Sequence, residues 1–333
     1  MRNPRPSRRT RTTRSARPVR PSRGLAVAGV LALGAGVLGG CASDSSDAAS
    51  GSSDGAEAGP VSATDATGVE VTLDAPAERI ACLTMICVDA LTEVGITPVA
   101  YRDQLALDER YAGPDADMRE ITGGFGEENV EDIALAAPDL VIGLAGAQDG
   151  LREAVEEIAP LYLVDPTSWE ESLDVLRTVG DLTGTSEQAD AAADAFTERV
   201  EQAAEHRSDL TTLSMFGEPG SLGVDSVATP VGSLLAEVSD YPWEAGADPF
   251  ATVAVEQIAA VDPDVVFAQA FSASSDSEPL SERLASDPQW AQLTAARDDR
   301  VVEVEASVWA TGRGTISLGI VLDQVEDELG IEH

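Results

Sequence analysis

Lysine is absent from this chain, and all 21 of its basic residues are arginine. Nine of those arginines fall in the first 40 residues, which hold no acid, so twelve remain against all 59 aspartates and glutamates. A surface that acidic excludes a nucleic-acid partner and any electrostatic attraction to anionic lipid. Without lysine no Schiff base can form. Histidine occurs only twice, at His206 in a predicted helix and at the C-terminal His333. With two thiols beyond Cys41 as the other soft donors, that argues against a dedicated zinc or manganese site. Neither a Ser-His-Asp arrangement nor a phosphate-cradling Gly-Lys-Ser/Thr is recognisable, and Gly123, Gly124 and Gly126 lack dinucleotide-binding spacing. The chain is therefore expected not to be an enzyme and to carry no cofactor. Aromatic residues make up only 4% of it, so a concentration of them at one place is informative.

What is present begins with two unlike materials. The arginine-rich start is followed by an apolar run from Leu25 to Gly40, too short for a comfortable membrane span, and the pair reads as an export leader. Its end, Val37-Leu-Gly-Gly-Cys41, resembles a bacterial lipobox, in which the cysteine thiol accepts diacylglycerol and the cysteine amine becomes the new N-terminus. The other reading is a conventional signal peptide with an incidental cysteine. Ser7-Arg8-Arg9 suggests twin-arginine export but lacks the hydrophobic residues that usually follow the pair, so the export route stays open. From Ala42 to Pro60 the sequence is mostly Ser, Asp, Gly and Ala, a solvated tether. At 333 residues the chain is long enough for two domains of ordinary size.

Cys82 and Cys87 are an isolated pair in an exported chain. They are read either as a disulfide or as two small buried thiols packed where backbones approach.

One stretch occurs twice. Glu131-Asp-Ile-Ala-Leu-Ala-Ala-Pro138-Asp-Leu-Val-Ile142 returns 125 positions later as Glu256-Gln-Ile-Ala-Ala-Val-Asp-Pro263-Asp-Val-Val-Phe267, with six of twelve positions identical. Each copy reads as a short amphipathic helix stopped by proline, then a strand apolar on both faces. Such strands belong inside parallel sheets covered by helices, so two copies predict two α/β lobes of similar plan. Around them, Val61 to Leu73 reads as a hairpin turning at Asp65-Ala-Thr-Gly68, and Arg79 to Leu83 as a short buried strand. A helix with Val88, Leu91 and Val94 on one face closes at Gly95, and Thr97 to Tyr101 is the next strand. Arg102, Arg110 and Tyr111 stand out in the polar stretch that follows, and Leu161 to Val164 adds a strand. A helix from about Glu170 to Leu182 stops at Gly184. A second, with Thr185 and Gln188 at capping-box spacing, runs to about Arg207 and is long enough to bridge two lobes. The second lobe is expected to hold a strand from Leu210 to Met215, a loop from Phe216 to Pro230, a late strand from Arg300 to Val304 and a closing helix from Ile316 to Leu329. The predicted division is a leader over 1–40, a tether over 41–60, lobes over 61–184 and 208–333, and the bridging helix over 185–207.

Several stretches in order carry a resemblance. They are the lipobox and tether, Pro76-Ala-Glu-Arg79-Ile80, Gly123-Gly-Phe-Gly-Glu-Glu-Asn129-Val-Glu131 running into Pro138-Asp, Val255-Glu256 running into Pro263-Asp, Asp287-Pro-Gln-Trp290, Arg300-Val, and Trp309 with Gly312. Together they resemble the substrate-binding lipoproteins of ABC importers for ferric siderophores, haem and cobalamin, from about residue 60 to the end. The resemblance implies an α/β fold of two Rossmann-like lobes with mainly parallel sheets, joined by one long helix, with ligand in the cleft between them. It implies a monomer on the outer face of the cytoplasmic membrane, capturing a ferric siderophore for a permease dimer; haem is the alternative and cobalamin comes third. It also implies that one glutamate on each lobe, here Glu131 and Glu256, docks onto the permease.

Topology places the ligand beyond the carboxyl ends of the strands. Those loops supply Thr84, Met85, Tyr101, Arg102, Phe125 and Gln148 in the first lobe, and Phe216, Phe271, Trp309 and Arg313 in the second, with Tyr241 and Trp243 before the repeat. Arg102 and Arg313 are suited to the negative charge of an iron chelate; Met85 or Tyr101 could serve haem as an axial donor. For the lipobox, Cys41→Ala is expected to leave the protein unprocessed by lipoprotein maturation. Processing and membrane fractionation check this; a variant still cleaved there and still with the membranes would contradict it.

Overall fold

The computed structural model describes residues 59–102, 118–244, 246, 252–269 and 278–331. Cys41, nearly all of the tether, Arg110, Tyr111, Phe271 and His333 lie outside the described residues. The first half runs β1 (Val61–Thr64), β2 (Glu70–Leu73), β3 (Ile80–Cys82), α1 (Met85–Glu93), β4 (Ala100–Arg102), β5 (Arg119–Ile121), β6 (Gly123–Gly124), β7 (Glu127–Glu128), α2 (Val130–Ala136), β8 (Leu140–Leu144), α3 (Arg152–Val155) and β9 (Leu161–Val164). After α4 (Trp169–Thr183) and α5 (Ser186–Glu205) come β10 (Thr212–Glu218), β11 (Ser221–Val224), α6 (Pro230–Val238), α7 (Val255–Val261), β12 (Val265–Gln269), α8 (Leu280–Leu284), α9 (Thr294–Arg297), β13 (Val301–Val304), α10 (Ala306–Trp309) and α11 (Thr315–Leu329).

Two lobes result. One holds the parallel sheet β5-β4-β3-β8-β9; the other holds β11-β10-β12-β13, parallel except for β11. The repeated stretch has the same role in each. α2 and α7 end at Ala137 and Asp262 in left-handed conformations, φ 47° and 52°, because the proline that follows cannot continue the helix. The aspartate after each proline then anchors the incoming strand. Asp139 accepts from the amides of Glu78 and Arg79, each at 2.9 Å, and Asp264 accepts from Thr211 N at 2.9 Å. The central strands β8 and β12 that follow are apolar and buried on both faces. The first hairpin turns as its sequence predicts, with Asp65 Oδ1 accepting from Thr67 N at 2.9 Å and Val69 N at 3.0 Å.

Three local expectations are corrected. The stretch from Phe216 to Pro230 is not all loop: β10 continues to Glu218 and returns as β11, since Gly217 and Gly220 supply φ of 105° and 90° for the turn. The strand expected over Thr97 to Tyr101 starts only at Ala100, after Pro98, which has no amide to give a ladder. The capping box at Thr185 does not form. Thr185 Oγ1 pairs with Thr183 Oγ1 at 2.8 Å instead, and α5 begins without a side-chain cap.

The 20 residues of α5 span about 30 Å at 1.5 Å per residue. α4 packs closely along it, and a side chain at Gly180 would overlap Ala189. These helices lie in one apolar core shared by both lobes. It runs from Ile80, Leu91 and Ile142 through Leu176 and Phe196 to Leu234, Phe267 and Leu322, all buried. Each sheet has a second, smaller core on its other face, around Val141 and Leu163 in one lobe and Leu213 and Val266 in the other.

A buried carboxylate reaches across the boundary inside this core. Asp89 of α1 is fully buried and accepts from Ile316 N, Ser317 N and Ser317 Oγ at 3.0, 2.9 and 2.7 Å, at the start of α11. Burial raises its carboxyl from 3.8 to about 6, against the pull of the bonds from Ser317 and Ile316. A carboxyl raised on folding adds stability that is fully present below its unfolded pKa of 3.8 and lost as pH rises through about 6. Asp89→Asn removes that titration. The stability of wild type relative to this variant is expected to fall by about 3 kcal/mol between about pH 4 and about pH 7, read by urea unfolding. A difference that does not change with pH would refute it.

Candidate functional site

The carboxyl ends of the parallel strands carry the polar and aromatic residues. β3 runs into Thr84, the extended, largely buried N-cap of α1. A disulfide joins Cys82 to Cys87 across this turn, with Cα atoms 5.5 Å apart and both residues fully buried. Closing so short a loop stabilises by about 2 kcal/mol on the chain-entropy estimate. β4 ends in half-buried Tyr101 and buried Arg102. Arg102 Nε lies 3.4 Å from Glu128 Oε1, both side chains being almost wholly buried. The guanidinium sits under Phe125, 4.9 Å from the ring centroid, a cation–π contact.

Glu128 is held in turn from β8. Gln148 Nε2 donates to Glu128 Oε1 at 2.9 Å, while Gln148 Oε1 accepts from Leu144 N at 2.7 Å. The β6–β7 hairpin that presents Phe125 rests on this loop: a side chain at Gly126, φ 76°, would collide with the Ala147 carbonyl. Phe125 itself is 56% exposed, the most exposed aromatic side chain among the described residues. Arg102, Phe125 and Gln148 are thus brought together, around a glutamate that sequence reasoning missed. Its only signal was position, next to the equally acidic but exposed Glu127.

In the second lobe the strand ends converge on Asp225. Ser214 Oγ donates to Asp225 Oδ2 at 2.7 Å, Gln269 Nε2 donates to the same oxygen at 3.2 Å, and Tyr241 OH donates to the Asp225 carbonyl at 2.5 Å. Burial raises the Asp225 carboxyl, opposed by the Ser214 bond and by the positive charge of Arg313. Asp165, just after β9 in the other lobe, is likewise raised by desolvation and drawn back by Arg313. Arg313 therefore acts on carboxylates of both lobes. It is partly exposed and takes φ 59°, with Nε donating to the Ala310 carbonyl at 3.0 Å.

Other residues expected at the ligand surface belong to the core. Met85 is 2% exposed, because the first turn of α1 faces the shared apolar cluster. Trp309 is 1% exposed, stacks on Phe267 at 4.8 Å between centroids, and donates Nε1 to Gln324 Oε1 at 2.7 Å. Tyr241 is buried with its hydroxyl committed to Asp225. All three are buried and packed against neighbours in this structure. Phe216 is partly exposed, its ring lying where a side chain at Gly223 would be, and Trp243 is half-buried at the edge of both clusters it touches. Glu131 and Glu256 are exposed in the first turns of α2 and α7. Helices that lead into parallel strands start on the carboxyl side of the sheet, so both glutamates stand on the rim of the same side as the strand-end residues.

Two α/β lobes joined by a long helix over a shared core, with charged residues gathered at the strand ends, define a bilobal binding protein. The chain belongs to the periplasmic binding protein family, whose model matches residues 80–308. It is similar to the Fe(3+) dicitrate-binding periplasmic protein FecB of Escherichia coli (strain K12), 26% identical over 250 residues, 73% of this chain and 82% of that protein. It is also similar to the Fe(3+)-citrate-binding protein YfmC of Bacillus subtilis (strain 168), 23% identical over 307 residues, 87% of this chain and 92% of that one. Among solved structures, the siderophore-binding protein BauB, bound to two acinetobactin molecules and ferric iron, shares the fold with a TM-score of 0.67 at 20% identity, over 82% of this chain and 100% of BauB.

Proposed function

We propose that this chain is an extracytoplasmic substrate-binding lipoprotein that captures a ferric siderophore between its lobes and delivers it to the permease of an ABC importer. The observation that carries the reading is the placement of arginine. In a chain with 59 acids and no lysine, one arginine lies beneath an exposed aromatic ring at the strand ends of the first lobe, and another acts on carboxylates of both lobes. Arginine's planar fork suits the carboxylate, hydroxamate or catecholate oxygens of an iron chelate. The names of the relatives, two of them binders of ferric citrate, support the same chemistry. Burial removes Met85 as a haem axial donor, and the names of these relatives speak of ferric citrate and siderophore, not haem.

Anchoring follows from the lipobox, with lipidated Cys41 holding the folded part off the membrane on the 41–60 tether. Delivery follows from pseudo-symmetry. Two lobes of similar plan facing two identical permease subunits need one docking residue each, and Glu131 and Glu256 occupy equivalent rim positions.

Two outcomes are expected. In a calorimetric panel of ferric dicitrate, a ferric trihydroxamate, a ferric tricatecholate, haemin and cobalamin, a ferric chelate should bind most tightly. Loss of a charge-assisted contact worth about 1.5 to 3 kcal/mol means Arg313→Ala should weaken that binding by about tenfold to a hundredfold; haemin binding with a Soret band and no response to any ferric chelate would overturn the reading. Separately, Glu131→Ala with Glu256→Ala should leave affinity in solution nearly unaltered and abolish iron uptake by cells; normal uptake would remove these glutamates from docking.

A further inference from the structure

α11 begins with glycine at its N-cap, a residue with no side chain to satisfy the first amides of the helix. Asp89 satisfies them from the other lobe, through the amides of Ile316 and Ser317. Glu93, one turn further along α1, accepts from Thr315 Oγ1 at 2.8 Å. A side chain at Gly314 would overlap the Asp89 carboxylate, so the grip needs bare backbone there. Arg313 is the residue immediately before. Its left-handed backbone is unfavourable for a residue with a side chain, so its neighbours must hold it. On one side the Ala310 carbonyl takes its Nε–H; on the other, Gly314 N donates to Ser317 Oγ at 3.0 Å, the same hydroxyl that Asp89 binds.

We infer that Asp89 is a positioning residue for ligand binding: by capping α11 across the lobe boundary it fixes the Arg313 turn, and with it the guanidinium that meets the chelate. The inference rests on the reading of Arg313 as a ligand contact. The geometry has a second end. α1, which carries Asp89, begins at Thr84 beyond β3 and is fastened there by the Cys82–Cys87 bond. The buried Asp89 carboxylate, with Glu93 beside it, thereby links the strand ends of one lobe to the charged turn of the other.

A helix cap with no further role would affect stability and leave affinity alone. The test is a double-mutant cycle on the mature protein, with ferric dicitrate, a ferric trihydroxamate and a ferric tricatecholate as titrants and thermal unfolding measured alongside. Asp89→Asn keeps the shape of the side chain and one acceptor. It is expected to fold with a lowered melting temperature, since one buried donor loses its acceptor, to bind about tenfold more weakly, and to cause almost no further loss of affinity when Arg313 is already alanine. Gly314→Ala, which pushes the turn off an intact Asp89, should show the same dependence on Arg313. If either variant binds as tightly as wild type, or if Asp89→Asn loses the same factor in both backgrounds, the positioning role is overturned while the reading of the site stands. If wild type binds none of the three chelates, or Arg313→Ala costs nothing, the reading of the site fails and this inference fails with it.

Discussion

A single apolar core beneath both lobes is the constraint on which the rest of the molecule depends. Because Ile80 and Ile142 of one sheet and Phe267 of the other pack against the same helices, through Leu176 and Phe196, the lobes cannot part widely without opening that core to water. Burial of such side chains contributes about 1.5 to 3 kcal/mol each, and many of them share this core. The space between the strand ends is therefore largely formed by the shared core itself.

Arginine use follows from that frame. Most of the guanidiniums among the described residues hold the scaffold. Arg79 closes α2 through the carbonyls of Ala136 and Ala137; Arg152 pairs with Asp65 at the first hairpin; Arg177 meets Asp174, Asp190 and Asp194 between α4 and α5; Arg300 ties β13 to Glu328. The exposed Arg177 pairs are individually worth at most about 1 kcal/mol. In so acidic a chain they also reduce the repulsion between neighbouring elements.

The architecture was largely legible because its signals are periodic and local. The twofold stretch around Pro138 and Pro263 encodes helix stop and buried strand in one phrase, and the helix faces of α4 and α11 follow from spacing alone. The site was less legible, because a strand-end residue can face either the cleft or the core and alternation does not say which. Arg102 and Phe125 come together, while Met85, Tyr241 and Trp309 turn inward; in Tyr241 and Trp309 a polar tip that suited a ligand finds a buried acceptor instead. Glu128 and Asp89 were passed over for the opposite reason. In a chain so rich in acids a buried carboxylate looks like any other, and only its partners distinguish it.

The burial of Cys82 and Cys87 ties the oxidation state of the protein to its itinerary. Thiol–disulfide exchange needs an attacking thiolate to reach a sulfur, and here both sulfurs lie beneath the folded strand-to-helix turn. A chain that crosses the membrane unfolded meets the oxidising side with both thiols open and closes the bond before it folds over them. A chain that crosses already folded carries its thiols sealed, and gains the bond only through rare local opening. The covalent form of the folded protein thus depends on whether the bond closes before or after Cys82 and Cys87 are buried.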